Sequence, residues 1–280
     1  MLNLVAGDNR ATVSPEHGGR IAALSFAGHE VLLDAATAAS RTGQDPPAAT
    51  RWGMFLMAPW AGRVRHGEFA FNGRQYHLPI NKAPHAIHGT IFDRPADSAE
   101  VDVTQSEVTC TWRLRDPWPF EGVVTSHVAL TADSLNLRLE VAAEEAMPVT
   151  LGWHPWWRTE LDTGGRLDPA RRLVIDGPLA ARYQRDEESI PTGALVGPGP
   201  PPWDDCFLTP DRPLRLVWPG TLSLRLETDC PDVVVFNEID FAHCVEPQSG
   251  PPDALNSGTH LQVLAAGQRA TATSRWVREA

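Results

Sequence analysis

The sequence predicts an all-β protein, a large antiparallel β-sandwich. Apolar and polar residues alternate along residues 108–114, 124–130 and 135–141, and a period of two places every second side chain on the same face of a strand. Glycine and proline punctuate these segments, and no window of helical length keeps the apolar spacing of a helix. Many short strands separated by turns are typical of a sandwich.

Turn signals define the individual strands. Residues 131–134, Thr-Ala-Asp-Ser, predict a hairpin between two alternating segments, and Asn72-Gly73 predicts a type I′ hairpin turn. Further strands are predicted at residues 10–13, 21–26, 31–33, 214–218, 222–227, 233–236, 261–264 and 271–277.

Two segments are expected to be irregular. Residues 34–50 are rich in Ala, Thr and Pro and are expected to form a long surface loop. The proline run in residues 190–203 excludes a central strand or a helix. Because the chain has no internal repeat, residues 1–280 are expected to form one domain.

The composition indicates a globular protein and disfavours several kinds of partner. Apolar residues make up 42% of the 280 residues, enough for a substantial core. A formal net charge of -11 disfavours nucleic acid and an anionic membrane surface as partners. No signal peptide and no apolar run of membrane length is evident, which indicates a cytoplasmic protein. The four cysteines lack CxxC spacing and are expected to be reduced, buried thiols.

Two motifs place acid–base groups at strand ends. Glu246 lies in Cys-Val-Glu-Pro-Gln, after strand-forming residues and before a loop rich in Pro and Gly. His154 lies in Trp-His-Pro-Trp-Trp, where the following proline keeps the histidine extended. A carboxylate and a histidine on rigid strands are candidates for a general base and a general acid. Trp156 adds a surface for the apolar face of a pyranose. The alternatives are a core histidine and an exposed loop glutamate.

Other polar residues are more ambiguous. His85 and His88 have metal-ligand spacing without a third ligand nearby, so either they bind a metal or one faces a cleft while the other is structural. Arg63 follows a glycine and is either a hydroxyl or carboxylate ligand or an exposed arginine. Asp204 and Asp205 either accept hydrogen bonds from a sugar or are solvated. No metal or dinucleotide signature is present, and no cofactor is expected.

The order of these motifs along nearly the whole chain resembles the aldose 1-epimerase (galactose mutarotase) family. The matching segments are residues 15–21, 28–32, 62–63, 85–89, 118–120, 154–157, 191–193, 204–207 and 246–248. The resemblance implies a supersandwich with a sugar cleft on one face.

The resemblance also implies roles. Glu246 maps onto the family's general base and His154 onto its general acid. Arg63, His88 and Asp204 map onto substrate-binding residues, with Asp205 as the alternative to its neighbour. Trp156 and Gln248, which belong to the same motifs, are expected to contact the sugar as well.

Several positions depart from the family pattern. Ala61-Gly62 precede the arginine where asparagine is usual, and Thr90 stands where a second glycine follows His-Gly. His85 stands where asparagine is common, and Trp-Trp replaces the frequent Tyr-Phe after His-Pro. These changes leave the acid–base pair intact and bear on which aldose is the substrate.

The implied reaction interconverts the anomers of a free aldose. Glu246 would take the proton of the anomeric hydroxyl while His154 protonates the ring oxygen. The histidine needs to be protonated for this role, so a neighbouring carboxylate that raises its pKa would help. The expected partner is a small-molecule sugar, and the expected assembly is a monomer or homodimer.

Three alternatives remain open. A hexose-6-phosphate 1-epimerase would need a cationic pocket, and no Arg/Lys cluster stands beside Arg63 in the sequence. A non-catalytic sugar-binding or sugar-sensing protein would keep the aromatic residues. A glycoside hydrolase would use Asp204 and Glu246 as its carboxylate pair.

Overall fold

Two large β-sheets pack face to face in the computed structural model, which describes residues 1–104, 106–162 and 169–279. Strands hold 50% of the residues and helices 7%, which confirms the predicted all-β class. The ladders of both sheets are antiparallel throughout these ranges.

The front sheet has twelve strands and carries residues 154 and 246 near its centre. In spatial order its main strands are Leu2–Ala6, Asn9–Ser14, Arg20–Phe26, Met54–Met57, Gly152–Pro155, Ala242–Gln248, Asp232–Phe236, Asp204–Leu208, Arg182–Arg185 and Pro191–Val196. Two short strands pair beside this path, His29–Glu30 and Trp157–Arg158.

The back sheet has eight strands and contains the most regular alternation of the sequence. In spatial order they are Ser98–Asp102, Glu107–Leu114, Gly122–Leu130, Ser134–Ala143, Arg269–Arg278, Leu222–Thr228, Arg215–Trp218 and Val174–Asp176. Three two-stranded sheets complete the β structure: Met147–Val149 with Gln262–Leu264, Arg63–Val64 with Ala86–Ile87, and Glu68–Phe71 with Arg74–His77.

The predicted turns are present. Residues 131–134 connect two antiparallel back-sheet strands. Asn72 and Gly73 both have positive φ, 49° and 73°, as a type I′ turn requires. Residues 31–33 are buried and form an isolated antiparallel bridge, Leu32 with Trp157, beside the short strand His29–Glu30.

A helix occupies Ala35–Thr42, so the expectation of a continuous loop over residues 34–50 was wrong. Its N-cap is Asp34, whose carboxylate accepts a hydrogen bond of 2.8 Å from the backbone N–H of Thr37. Alanine has the highest helix propensity, so a short alanine-rich segment with a capped N-terminus can form a helix. A second helix spans Ala254–Ser257, and 3₁₀ turns span Pro15–His17, Arg65–Gly67 and Pro169–Arg171.

The segment at residues 190–203 is also more regular than expected. Pro191–Val196 forms the outermost strand of the front sheet and pairs with Arg182–Arg185. An edge strand tolerates proline because its outer backbone groups need no partner strand.

Strand alternation divides the front sheet into two faces. Leu56, Trp153 and Val245 point into the core shared with the back sheet. Their neighbours Phe55 and Cys244 belong to a second apolar cluster on the opposite face. The period of two therefore places the polar side chains of the central strands away from the main core and in a cleft.

Among the described residues, no helix is long and apolar enough to cross a bilayer.

Candidate active site

His154 and Glu246 meet on adjacent strands of the front sheet. The His154 Nε2 atom lies 3.1 Å from the Glu246 Oε1 atom. Both side chains are buried, and both line a cleft of about 400 Å³. This volume lies in the range of small-ligand pockets. The structure therefore brings together the two groups that the sequence analysis selected as an acid–base pair.

Aromatic rings fix the orientation of the His154 imidazole. Phe55 stacks on one side with a centroid distance of 4.5 Å, and Trp156 stacks at 5.2 Å, both with an interplanar angle of 24°. The indole N–H of Trp156 donates to the Thr50 carbonyl at 3.0 Å, which anchors the stack. Trp156 is itself buried and lines the cleft, so it supports the histidine. Its direct contact with a sugar stays a prediction.

Two polar atoms beside this pair lack protein partners in the described residues. They are His154 Nδ1 and Gln248 Oε1. The amide of Gln248 instead donates from Nε2 to the Glu246 Oε2 atom at 3.1 Å. Buried polar atoms are nearly always satisfied, so these atoms are candidates to bind hydroxyl groups of a ligand.

Burial shifts the pKa values of the pair in opposite directions. It raises the pKa of Glu246 well above its ordinary value, and the nearby charge of Asp204 acts in the same direction. Burial lowers the pKa of His154 well below its ordinary value. The neighbouring carboxylate does not raise the pKa of this histidine overall, because the cost of burying an imidazolium dominates.

Asp204, rather than Asp205, faces the cleft. Asp204 Oδ2 lies 3.1 Å from the guanidinium of Arg63 and 3.2 Å from that of Arg185. Asp205 is 5% exposed and pairs with Arg182 at 2.9 Å and with Arg185 at 3.0 Å. Successive residues of one strand point to opposite faces, so only the first of the two aspartates lines the cleft.

The two histidines of the HxxH motif have different surroundings. His88 lines the cleft, where burial lowers its pKa to about 3, and its ring lies 5.2 Å from that of His154. His85 lies outside the cleft and forms hydrogen bonds with backbone groups. Its Nδ1 atom accepts from the backbone N–H of His66 at 3.2 Å, and its Nε2 atom lies 3.0 Å from the backbone carbonyl oxygen of Glu188. This geometry fits the interpretation in which one histidine faces a cleft and the other is structural, rather than the one in which both bind a metal.

The glycine after His88 is required by close packing. A Cβ atom at Gly89 would lie 2.0 Å from the carbonyl oxygen of Ala58. His88 itself has a positive φ of 64°, which turns the chain at this point. The His-Gly motif therefore positions the imidazole of His88 at the wall of the cleft.

Residues 1–276 match the sequence profile of the aldose 1-epimerase family. The chain belongs to the aldose 1-epimerase family. Uncharacterized protein YihR of Escherichia coli is 26% identical to it over 95% of this chain and 89% of that protein. Mouse galactose mutarotase is 26% identical over 49% of this chain and 40% of the mouse protein, so that match spans less than half of the relative.

Solved structures share the fold of this aldose 1-epimerase family member. A galactose mutarotase-like protein from Clostridium acetobutylicum superposes with a TM-score of 0.81 at 18% identity, covering 99% of this chain and 94% of that one. A galactose 1-epimerase from Lactobacillus acidophilus gives 0.78 at 16% identity, covering 99% and 93%. At these identities the comparison establishes the supersandwich fold alone.

Sequence reasoning missed several residues that line the cleft of this family member. Arg51, Lys82 and Glu238 contribute charges, and Phe236 packs edge-on against Trp156 at 5.7 Å. Lys82 is the only lysine of the chain, but its sequence neighbours form no functional pattern.

Cys244 lies beside the acid–base pair, two residues before Glu246 on the same face of its strand. One ligand atom from each of these residues and from His154 lie within 4.8 Å of one another, so these are described residues that could hold a metal. Burial, followed by the charge of the neighbouring glutamate, raises the pKa of the Cys244 thiol well above its ordinary value. All four cysteines are free and buried, as predicted.

Proposed function

We propose that the protein is an aldose 1-epimerase that interconverts the α and β anomers of a free aldose. The observation that supports this most is the 3.1 Å contact between His154 Nε2 and Glu246 Oε1 in a sugar-sized cleft. Ring opening removes a proton from O1 and adds one to O5. These two oxygens are bonded to the same carbon, so the base and the acid must lie next to each other.

Ring opening begins with Glu246 as carboxylate and His154 as imidazolium. Glu246 takes the proton of O1, His154 gives a proton to O5, and the C1–O5 bond breaks to leave the open-chain aldehyde. Rotation about the C1–C2 bond then presents the other face of the aldehyde. Closure runs the two transfers in reverse, so no net proton is exchanged with solvent.

The opposed pKa shifts are compatible with this cycle. Protonated Glu246 beside neutral His154 holds the same number of protons as carboxylate beside imidazolium. The two forms differ by one proton transfer along their 3.1 Å contact. Burial of both groups stabilises the uncharged form, and the pair titrates as a unit rather than as two independent residues.

Residues around the pair hold the rest of the sugar in this proposal. Arg63 and Asp204 offer a donor and an acceptor for ring hydroxyls on one side of the cleft. His88 Nδ1 and Gln248 Oε1 are buried atoms without protein partners in the described residues. Hydrogen bonds from these atoms would hold the sugar while the C1–C2 bond rotates, so that the aldehyde stays beside Glu246.

The other candidate functions are less well supported by the geometry. A glycoside hydrolase needs two carboxylates that are both free to act on the glycosidic bond, yet Asp204 is engaged by the guanidinium groups of Arg63 and Arg185. A purely sugar-binding protein has no use for a carboxylate and a histidine in direct contact inside the cleft.

Polarimetry of freshly dissolved α-D-glucose and α-D-galactose tests the proposal. The wild-type protein is expected to accelerate the decay of rotation, and Glu246→Gln and His154→Gln are each expected to reduce kcat by about 10²–10⁴-fold. His260→Gln is the matched control, because His260 also pairs with a carboxylate but lies outside the cleft. Acceleration that survives Glu246→Gln would overturn the proposed mechanism.

A further inference from the structure

Two cationic side chains in the cleft have no carboxylate partner among the described residues. Arg51 and Lys82 both line the cleft, and neither forms an ion pair there. Arg63, by contrast, is bound to Asp204 at 3.1 Å. Unpaired cations in a binding cleft are positioned to attract an anionic group of a ligand.

Arg51 lies on the His154 side of the cleft. Its guanidinium carbon is 5.4 Å from the centre of the Trp156 ring, and that ring stacks on His154 at 5.2 Å. In the proposed reaction His154 acts on O5. The carbon next to O5 in an aldohexose ring is C5, which carries C6. A substituent on C6 would therefore lie on the His154 side of the cleft, the side that Arg51 lines.

The electrostatics of His154 agree with this placement. Burial is the main reason that its pKa is lowered, followed by the charge of His88, and the charge of Arg51 lowers it further. The guanidinium therefore lies close enough to influence the reaction centre without a direct contact.

Acidic residues of the cleft do not cancel these two cations. Asp204 is held by Arg63 and Arg185, and the raised pKa of Glu246 favours its neutral form. Glu238 also lines the cleft, is exposed, and forms no ion pair within the described residues. Two unpaired cations against one unpaired anion leave the free charge of the cleft positive, although the chain as a whole carries -11.

We propose that the substrate is an aldose with an acidic group on C6, a phosphate or a carboxylate, which Arg51 binds and Lys82 attracts. This inference rests on the proposed epimerase function and deepens it. The absence of a basic cluster beside Arg63 in the sequence argued against such a substrate, but the fold supplies Arg51 and Lys82 from other segments. A guanidinium binds either anion through paired N–H donors.

Anomer exchange measured by NMR on three sugars tests the proposal. The sugars are glucose, glucuronate and glucose 6-phosphate, which differ at C6 in charge and in the anionic group. The wild type is expected to have a kcat/KM at least about tenfold higher for one or both anionic sugars than for glucose. The better of the two anionic sugars identifies the group.

Variants assign the effect to residues. Arg51→Gln is expected to lower kcat/KM for the preferred anionic sugar about tenfold more than for glucose, mainly through KM. Lys82→Gln, at an exposed position, is expected to give the same selective loss at a smaller size, about threefold. Arg74→Gln removes an exposed arginine outside the cleft and serves as the matched control.

The outcomes separate the two proposals. Equal kcat/KM for all three sugars, or equal losses on charged and neutral sugars in both cleft variants, would overturn the anionic substrate and leave the epimerase function standing. No acceleration with any of the three sugars would overturn the epimerase function itself. An unfolded Arg51→Gln would leave the decision to Lys82→Gln.

Discussion

The front sheet contains two contacts between a buried carboxylate and a histidine, and they differ in how completely they are satisfied. Glu246 meets His154 at 3.1 Å inside the cleft. On the neighbouring strand, Asp232 meets His260 Nδ1 at 2.7 Å and accepts a hydrogen bond of 2.9 Å from the hydroxyl of Tyr183, outside the cleft.

We interpret the Asp232–His260 contact as structural and the Glu246–His154 contact as functional. Both carboxylates have a protein partner at each oxygen, and at Asp232 the contacts with His260 and Tyr183 oppose the rise in pKa that burial causes. The cleft pair leaves His154 Nδ1 and the neighbouring Gln248 Oε1 without partners in the described residues. The histidines make the difference: His260 is partly exposed to solvent, whereas the buried His154 has an unpartnered nitrogen beside a cleft and keeps capacity to bind a ligand.

The largest expected effect is on catalysis, at Glu246. Glu246→Gln should reduce kcat by about 10²–10⁴-fold because the amide cannot accept the O1 proton. The free energy of unfolding should stay the same or rise, since a buried ionisable group is replaced by a neutral group of similar shape. Urea unfolding at neutral pH measures it. A stability loss as large as that of a core mutation would show that this pair is structural.

The reverse pattern is expected at Asp232. Asp232→Asn should lower the free energy of unfolding by about 1–3 kcal/mol, because one donor to the carboxylate loses its acceptor. The kcat should remain within a few-fold of the wild type, as the residue lies outside the cleft. Urea unfolding and polarimetry on the same preparation check both. A large fall in kcat with unchanged stability would remove the distinction between the two pairs.

The adjacent aspartates provide a finer comparison at one strand. Asp204→Asn should raise KM about tenfold, because the amide weakens the ion pairs that orient Arg63 in the cleft. Asp205→Asn should instead lower stability and change KM less, since Asp205 does not line the cleft and reaches it only through Arg185, which also contacts Asp204. Initial-rate kinetics of both variants decide between them. Equal KM effects would place both aspartates in the binding site.

The smallest expected effect is in the pH dependence of stability. The folded-state pKa of Glu246 is raised above 4.5, so its contribution is fully present below about pH 4.5 and is lost as the pH rises through the folded-state value. Glu246→Gln lacks this loss. The stability of the variant relative to the wild type should therefore increase as the pH rises above 4.5. Chemical unfolding across this range measures the change. A relative stability that stays constant would mean that the glutamate is ionised in both states.

Much of the back sheet could be predicted from residue order alone. Alternation along residues 108–114 and 135–141 depends on a local period of two, which persists in the folded strands. The helix at Ala35–Thr42 could not be predicted in the same way. It depends on one cap at Asp34 and buries a single residue, Ala38, so it lacks the repeated large apolar residues by which a helix is usually recognised in a sequence.

The sequence by itself determined the strand pattern and the motifs around Glu246 and His154, because both reside in short, continuous stretches of chain. Tertiary structure decided that these two residues touch, that Asp204 rather than its neighbour faces the cleft, and that Arg51 and Lys82 join them. It also decided that burial, rather than the nearby carboxylate, sets the pKa of His154. Each of these depends on pairing between distant strands and on exclusion of water, neither of which is encoded in local spacing.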